Sequence, residues 1–174
     1  MKAQHWVIAV FALFASCRDD VDKSQLEFYE GPIRISHDIE LLHSDSAIVV
    51  TKLTVAKQLE YQNGNIDFPE GIVIHFYEKD GQLGSTIRAD RGFYDRREHL
   101  YRGEGDVRVH NLTKDQKLAS EELFWDPTKK IIYTTKFVTV EEPSRLIQGT
   151  GMEADEGFNE YRFEKVSGII EDIL

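Results

Sequence analysis

The chain has 174 residues, with 21 Lys and Arg against 31 Asp and Glu, and a formal net charge of −10 at pH 7. That length suits a single domain. The acidic balance leaves no basic stripe to neutralise nucleic-acid phosphates and gives no electrostatic hold on an anionic lipid surface. A lone cysteine, Cys17, excludes an internal disulfide.

The first segment reads as a leader. Trp6–Phe14 is an uninterrupted apolar run, shorter than the ~20 residues a membrane-spanning helix needs. It has the length of a signal-peptide hydrophobic region, and small Ala15-Ser16 precede Cys17. This predicts a leader over 1–16 and a tether over 17–31. Ala15-Ser16-Cys17 resembles a bacterial lipobox, with Leu13 one place earlier than usual. That resemblance implies cleavage before Cys17 and acylation of Cys17; an ordinary secretory leader with an incidental cysteine is the competing reading.

From residue 32 to residue 174 the pattern is that of short strands. Asp38–His43 and Ala47–Ala56 flank the polar corner Ser44-Asp45-Ser46, and Val49, Thr51, Leu53 and Val55 share one face. Asn63-Gly64 and Asp67–Gly71 are turn signals. Ile72–Glu78 alternates, with Ile72, Ile74 and Phe76 on one face, and Lys79-Asp80-Gly81 turns it into Leu83–Tyr94. His99–Arg102 and Asp106–His110 read as two further strands, with corners at Asp95–Arg97 and Gly103–Gly105. Leu118–Trp125, Ile131–Thr134 and Phe137–Glu141 follow, then a last hairpin of Leu146–Asp155 and Tyr161–Ile170. No long helical period occurs after the leader, so the chain is predicted to be an all-β sandwich or roll.

A repeat supports one continuous unit. Ser120–Val140 aligns with Ala89–Val109 at a shift of 31, placing Tyr94-Asp95 on Trp125-Asp126, Val107 on Val138 and Val109 on Val140. A third copy opens at Ala154, where ADEGFNE matches ADRGFYD. Repeats of this length made of strands point to a layered solenoid or a roll of stacked hairpins.

The sequence offers no catalytic motif. It has no G-x-S-x-G elbow, P-loop, H-E-x-x-H or C-x-x-C, and its six histidines are scattered. No enzyme activity, metal or cofactor is therefore expected. Glu104, Asp106, Glu121 and Glu122 could form a glycosidase pair only in the loose sense that any sandwich could align two carboxylates. Solvent-facing strand and turn positions describe them better. The aromatics, Phe68, Phe76, Phe93, Tyr94, Phe124, Trp125, Phe137 and Phe163, are expected to fill an interior. A roll open at its ends would turn such an interior into a trough the width of acyl chains.

The ordered phrases SDSAIVVTKLTVAKQLEY, FPEGIVIHFYEKDGQLGSTIRADRGFYD, GEGDVRVHN, LASEELFWD, IYTTKFVTV and GTGMEAD resemble the LptC family of lipopolysaccharide export, from about Ser36 to Ile170. Many members keep a transmembrane helix where this chain has Cys17. The resemblance implies an open, twisted β-jelly roll of stacked antiparallel strands that binds lipopolysaccharide. It implies a place on the periplasmic face of the inner membrane, with the outer membrane as the other possible site of the anchor. Its partners would be the inner-membrane Lpt ABC transporter subunits and an LptA-like bridge protein.

Combined with the alternation, the resemblance nominates Leu53, Phe68, Ile74, Phe76, Ile87, Phe93, Val107, Phe124 and Phe137 as acyl-chain contacts. It nominates the last strand, with Tyr161, Phe163 and Val166, as the partner edge, because the third repeat lacks the strand that closes the first. A carbohydrate-binding or purely structural β-roll lipoprotein is the alternative.

Overall fold

The structure, a computed structural model, describes residues 29–171. The leader 1–16, Cys17 and most of the tether lie outside the described residues. Eleven strands make up one antiparallel sheet: β1 Arg34–Asp45, β2 Ile48–Glu60, β3 Ile66–Phe68, β4 Ile72–Tyr77, β5 Leu83–Ala89, β6 Arg91–Asp95, β7 Leu100–Asn111, β8 Gln116–Asp126, β9 Ile131–Glu142, β10 Arg145–Asp155 and β11 Tyr161–Glu171. The described residues contain no helix.

The sheet folds on itself because its long strands are bent near their middles. β7 pairs with β6 through Leu100–Glu104 and with β5 through Arg108–Asn111. Between these halves lie Gly105 and Asp106, both at positive φ. The β7–β8 register shifts at the same place, as in a β-bulge. Gly105 has φ +75°, and a Cβ there would meet the Asp90 side chain at 3.2 Å, so the bend is built around glycine. Asp90, where β5 gives way to β6, donates its N–H to the Gly105 carbonyl at 2.9 Å. Register shifts between Ser120 and Phe124, between Thr150 and Met152, and between Gln148 and Gly149 carry the line across β8 to β11. Strands that change sheets at bulges give two half-sheets, one packed over the other.

Three expectations are corrected here. Gly103–Gly105 is a bend inside one strand, and so is Thr135-Lys136 within β9. The expected single strand Leu83–Tyr94 is instead two, broken at Asp90. In the first two the strand runs on through the bend while its direction changes, which a turn signal in the sequence does not distinguish from a hairpin corner; at Asp90 the reverse holds, and no turn signal marks the break.

Three of the corners share one device. The Asp95 carboxylate accepts the N–H groups of Arg97 and Glu98, and Asp126 accepts those of Thr128 and Lys129. Asp155 accepts those of Asn159 and Glu160. These are aspartate-capped turns. The third repeat copy is displaced. Gly92-Phe93 lie in β6, whereas their sequence counterparts Gly157-Phe158 lie in the β10–β11 corner.

The core is the space between the halves. Leu53, Val55, Ile74, Ile87, Val107, Val109, Ile132, Val138 and Val140 are all buried in one cluster. The repeat partners Val107 and Val138 are fully buried, so the shift of 31 reproduces the inward face.

Candidate functional site

Inward and outward positions alternate along the half-strands that flank the core, and this sorts the nine nominated residues. Leu53, Phe68, Ile74, Phe76, Ile87 and Val107 face the interior and belong to the one cluster. Phe93, Phe124 and Phe137 do not. In β8, Leu123 and Trp125 are buried, which turns Phe124 outward, where it stacks on Tyr133 at 5.0 Å. In β9, buried Val138 puts Phe137 on the outside, 54% exposed. In β6 the inward place belongs to Gly92, where a Cβ would lie 2.8 Å from Ile72. Phe93 therefore points outward, under the Arg102 guanidinium at 4.5 Å.

The interior opens to solvent through a cleft of about 800 Å³ at the strand tips. Leu41, His43 and Ile48 of the β1–β2 hairpin form one wall. The β8–β9 and β10–β11 corners, including Lys130, Glu156 and Asn159, form the other. Its floor is aromatic. Phe76 meets Trp125 edge-on at 5.3 Å, Trp125 stacks on Tyr101 at 4.9 Å, and Tyr101 lies against Tyr94 at 4.7 Å. The Trp125 indole N–H donates to Glu156 Oε2 at 3.2 Å. Burial, and then the neighbouring Tyr94, push the Tyr101 phenol up to about 12, so it stays neutral. Ser85 lines the same cleft; its hydroxyl is fully buried and meets no protein partner among the described residues. Sequence reasoning left Ser85 and Tyr101 out of the site. Their signal was available only in the pairing of Tyr101 with Trp125 and of Ser85 with Asn111.

The carboxylates once weighed as a catalytic pair stand on the outer surface. Asp106 bonds Arg108 and Arg88, and the Arg108 guanidinium first of all holds its carboxyl below the usual range. Glu104 pairs with Arg91 and Arg102. Glu121 is exposed and Glu122 half-buried. Neither Asp106 nor Glu104 lines the cleft.

Among the described residues, two strands of the sheet are paired on one side only. β11 bonds β10 alone, and β1 bonds β2 alone. On β11, Tyr161 and Phe163 pack against the core, whereas Val166, Ile169 and Ile170 are exposed. On β1, Ile35, Leu41 and Leu42 are exposed. Apolar edge strands in this state are templates for pairing with another sheet.

The described residues thus form an antiparallel roll with an apolar interior, a cleft opening into it and two edge strands paired on one side. The profile of the family described as "Lipopolysaccharide-assembly, LptC-related" matches residues 36–166, and the chain belongs to that family. It is thereby a component of lipopolysaccharide transport in the Gram-negative envelope, in a family of transport components rather than enzymes. No curated protein matches the chain.

Proposed function

We propose that the chain is a membrane-anchored periplasmic relay for lipopolysaccharide. It takes the glycolipid from the inner-membrane ABC transporter and passes it to an LptA-like bridge protein. Cys17, acylated after removal of the leader, holds it to the membrane, and the outward strand β11 receives the next roll. The observation that carries the reading is the cleft that opens onto the interior over Phe76 and Trp125. Acyl chains gain about 0.8 kcal/mol per methylene removed from water. The sugar headgroup would stay at the polar rim. Leu53, Phe68, Ile74, Phe76, Ile87 and Val107 are the proposed acyl contacts, because they share the inward face. The chain hydrolyses nothing in this reading; energy comes from the transporter.

A photoreactive residue at Phe76 should crosslink to lipopolysaccharide in cells, and one at Arg108 on the outer face should not. Equal crosslinking at both positions would sink the proposal.

A further inference from the structure

A straight strand would hold Tyr101 and Asn111, ten residues apart on β7, roughly 33 Å from each other. The bend at Gly105 instead brings the Asn111 tip against the β10–β11 corner, at the end of the paired row Tyr101, Trp125, Ile132 and Ala154. The Asn111 amide lies 3.0 Å from the Gly157 carbonyl, 3.1 Å from that of Phe158 and 3.2 Å from Asn159 Oδ1. Its own oxygen accepts the Lys114 N–H at 2.9 Å. Lys114 Nζ reaches the Asn159 carbonyl at 2.5 Å. A second tie lies further along the same seam. The Tyr161 hydroxyl, at the start of β11, donates to Glu142 at the far end of β9 at 2.6 Å.

The corner held in this way is a plug. Phe158 is wholly buried in the interior, stacked on Tyr161 at 5.5 Å. It has φ 53°, a conformation that bulky residues adopt only when their surroundings force it. With the plug in place, the room left at the mouth is about 800 Å³, the scale of a site for one drug-sized molecule. A lipid carrying several acyl chains needs more; Gly157 and Asn159 line the cleft on either side of Phe158, whose ring occupies the adjoining interior.

We propose that Asn111 and the 156–160 corner form a latch across the seam of the two half-sheets, which must release before a multiply acylated lipid can occupy the interior. The proposal rests on the lipid reading given above. The ties of Asn111 are side-chain bonds to a corner outside the strands, so they can break without unpairing a strand; moving the corner also gives up the Glu156 N–H bond to the Lys130 carbonyl. Moving the corner outward also relieves the backbone of Phe158. Lipid and latch therefore compete, and each shifts the population of the other's state.

The test uses the full-length protein carrying Asn111→Cys and Asn159→Cys, with each single substitution as a control for Cys17. The disulfide should lower binding of purified rough lipopolysaccharide at least about tenfold, and reduction should restore it. Tyr161→Phe cuts only the second tie and keeps the test open if the cysteine pair folds poorly; it should speed association. In the parent protein, adding lipopolysaccharide should quicken amide exchange over 156–160. Undiminished binding by the oxidised pair, unchanged association in Tyr161→Phe, or slower exchange in the corner overturns the latch. A parent protein that does not bind lipopolysaccharide at all overturns the lipid reading itself, and the latch with it.

Discussion

At Phe76 one side chain serves both the core and the cleft floor. It is buried between β4 and Trp125, and its ring edge closes the gap between the half-sheets. Truncation to alanine should cost about 3–5 kcal/mol, read as a lower urea midpoint with an unchanged slope. Glu142 illustrates a different residue-scale effect. Arg145 bonds it, and Tyr161 and Gln116 add to the hold, so its carboxyl titrates below the ordinary glutamate value. A group whose folded pKa is depressed contributes stability that is complete above the unfolded pKa and is lost as pH falls through the folded one. Tyr161 works in the opposite sense. Burial and then the Glu142 bond push its phenol up to about 12, so its contribution is complete below the ordinary value near 10 and fades as pH rises towards 12. Urea midpoints measured across pH should therefore fall at both ends. Glu142→Gln should flatten the acid limb and Tyr161→Phe the alkaline one. An acid limb unchanged in Glu142→Gln would remove Glu142 from the account.

At the scale of elements, β11 tests the edge assignment. It pairs only with β10, so the other side of its backbone is open to another sheet. A proline there removes one donor and one extended pairing position while touching no interior strand. Val166→Pro should abolish co-purification with an LptA-like partner and lower the melting temperature by only a few degrees; Arg108→Ala is the surface control. An intact complex with a folded domain would place the docking edge elsewhere, and β1, with its exposed Ile35, Leu41 and Leu42, is then the strand to examine. The hairpins were legible in the sequence because alternation has period 2 and turn residues mark the corners: Asp95 and Asp126 fall where the repeat places them. The bends were not legible. Gly103–Gly105 carries the composition of a turn, and only long-range pairing of β7 with both β5 and β6 makes it the middle of one strand. The same bends displaced part of the candidate site. Phe137 was placed inward by alternation combined with the family resemblance, yet β9 takes its phase from Val138 and Val140. Phe158 shows the reverse, since its match to Phe93 hid a corner residue turned into the core.

At the scale of the whole molecule, the proposed relay role requires something to keep the roll at a membrane. Its formal charge of −10 gives no attraction to an anionic leaflet, and the described residues contain no helix long and apolar enough to cross one. The proposed hold is Cys17, outside the described residues. From Cys17 to Arg34, where β1 begins, there are 17 steps of chain. Fully extended these reach at most roughly 60 Å, enough to let a tethered roll meet a transporter's periplasmic face without inserting. One acyl chain binds a bilayer only marginally, whereas two or three hold it stably, so the anchor assignment requires diacylation at the least. Cys17→Ala should then accumulate as an uncleaved precursor, one leader heavier on a gel, and should incorporate no labelled palmitate. The folded roll should survive, because the buried core cluster runs from Leu53 to Phe158, and purified protein should keep the parent's melting temperature. Lipopolysaccharide relay in cells should fall even though the cleft is intact. Palmitate label persisting in Cys17→Ala would show that the acyl chains are elsewhere. Loss of label with relay unimpaired would show that the roll reaches its partners through its strand edges alone.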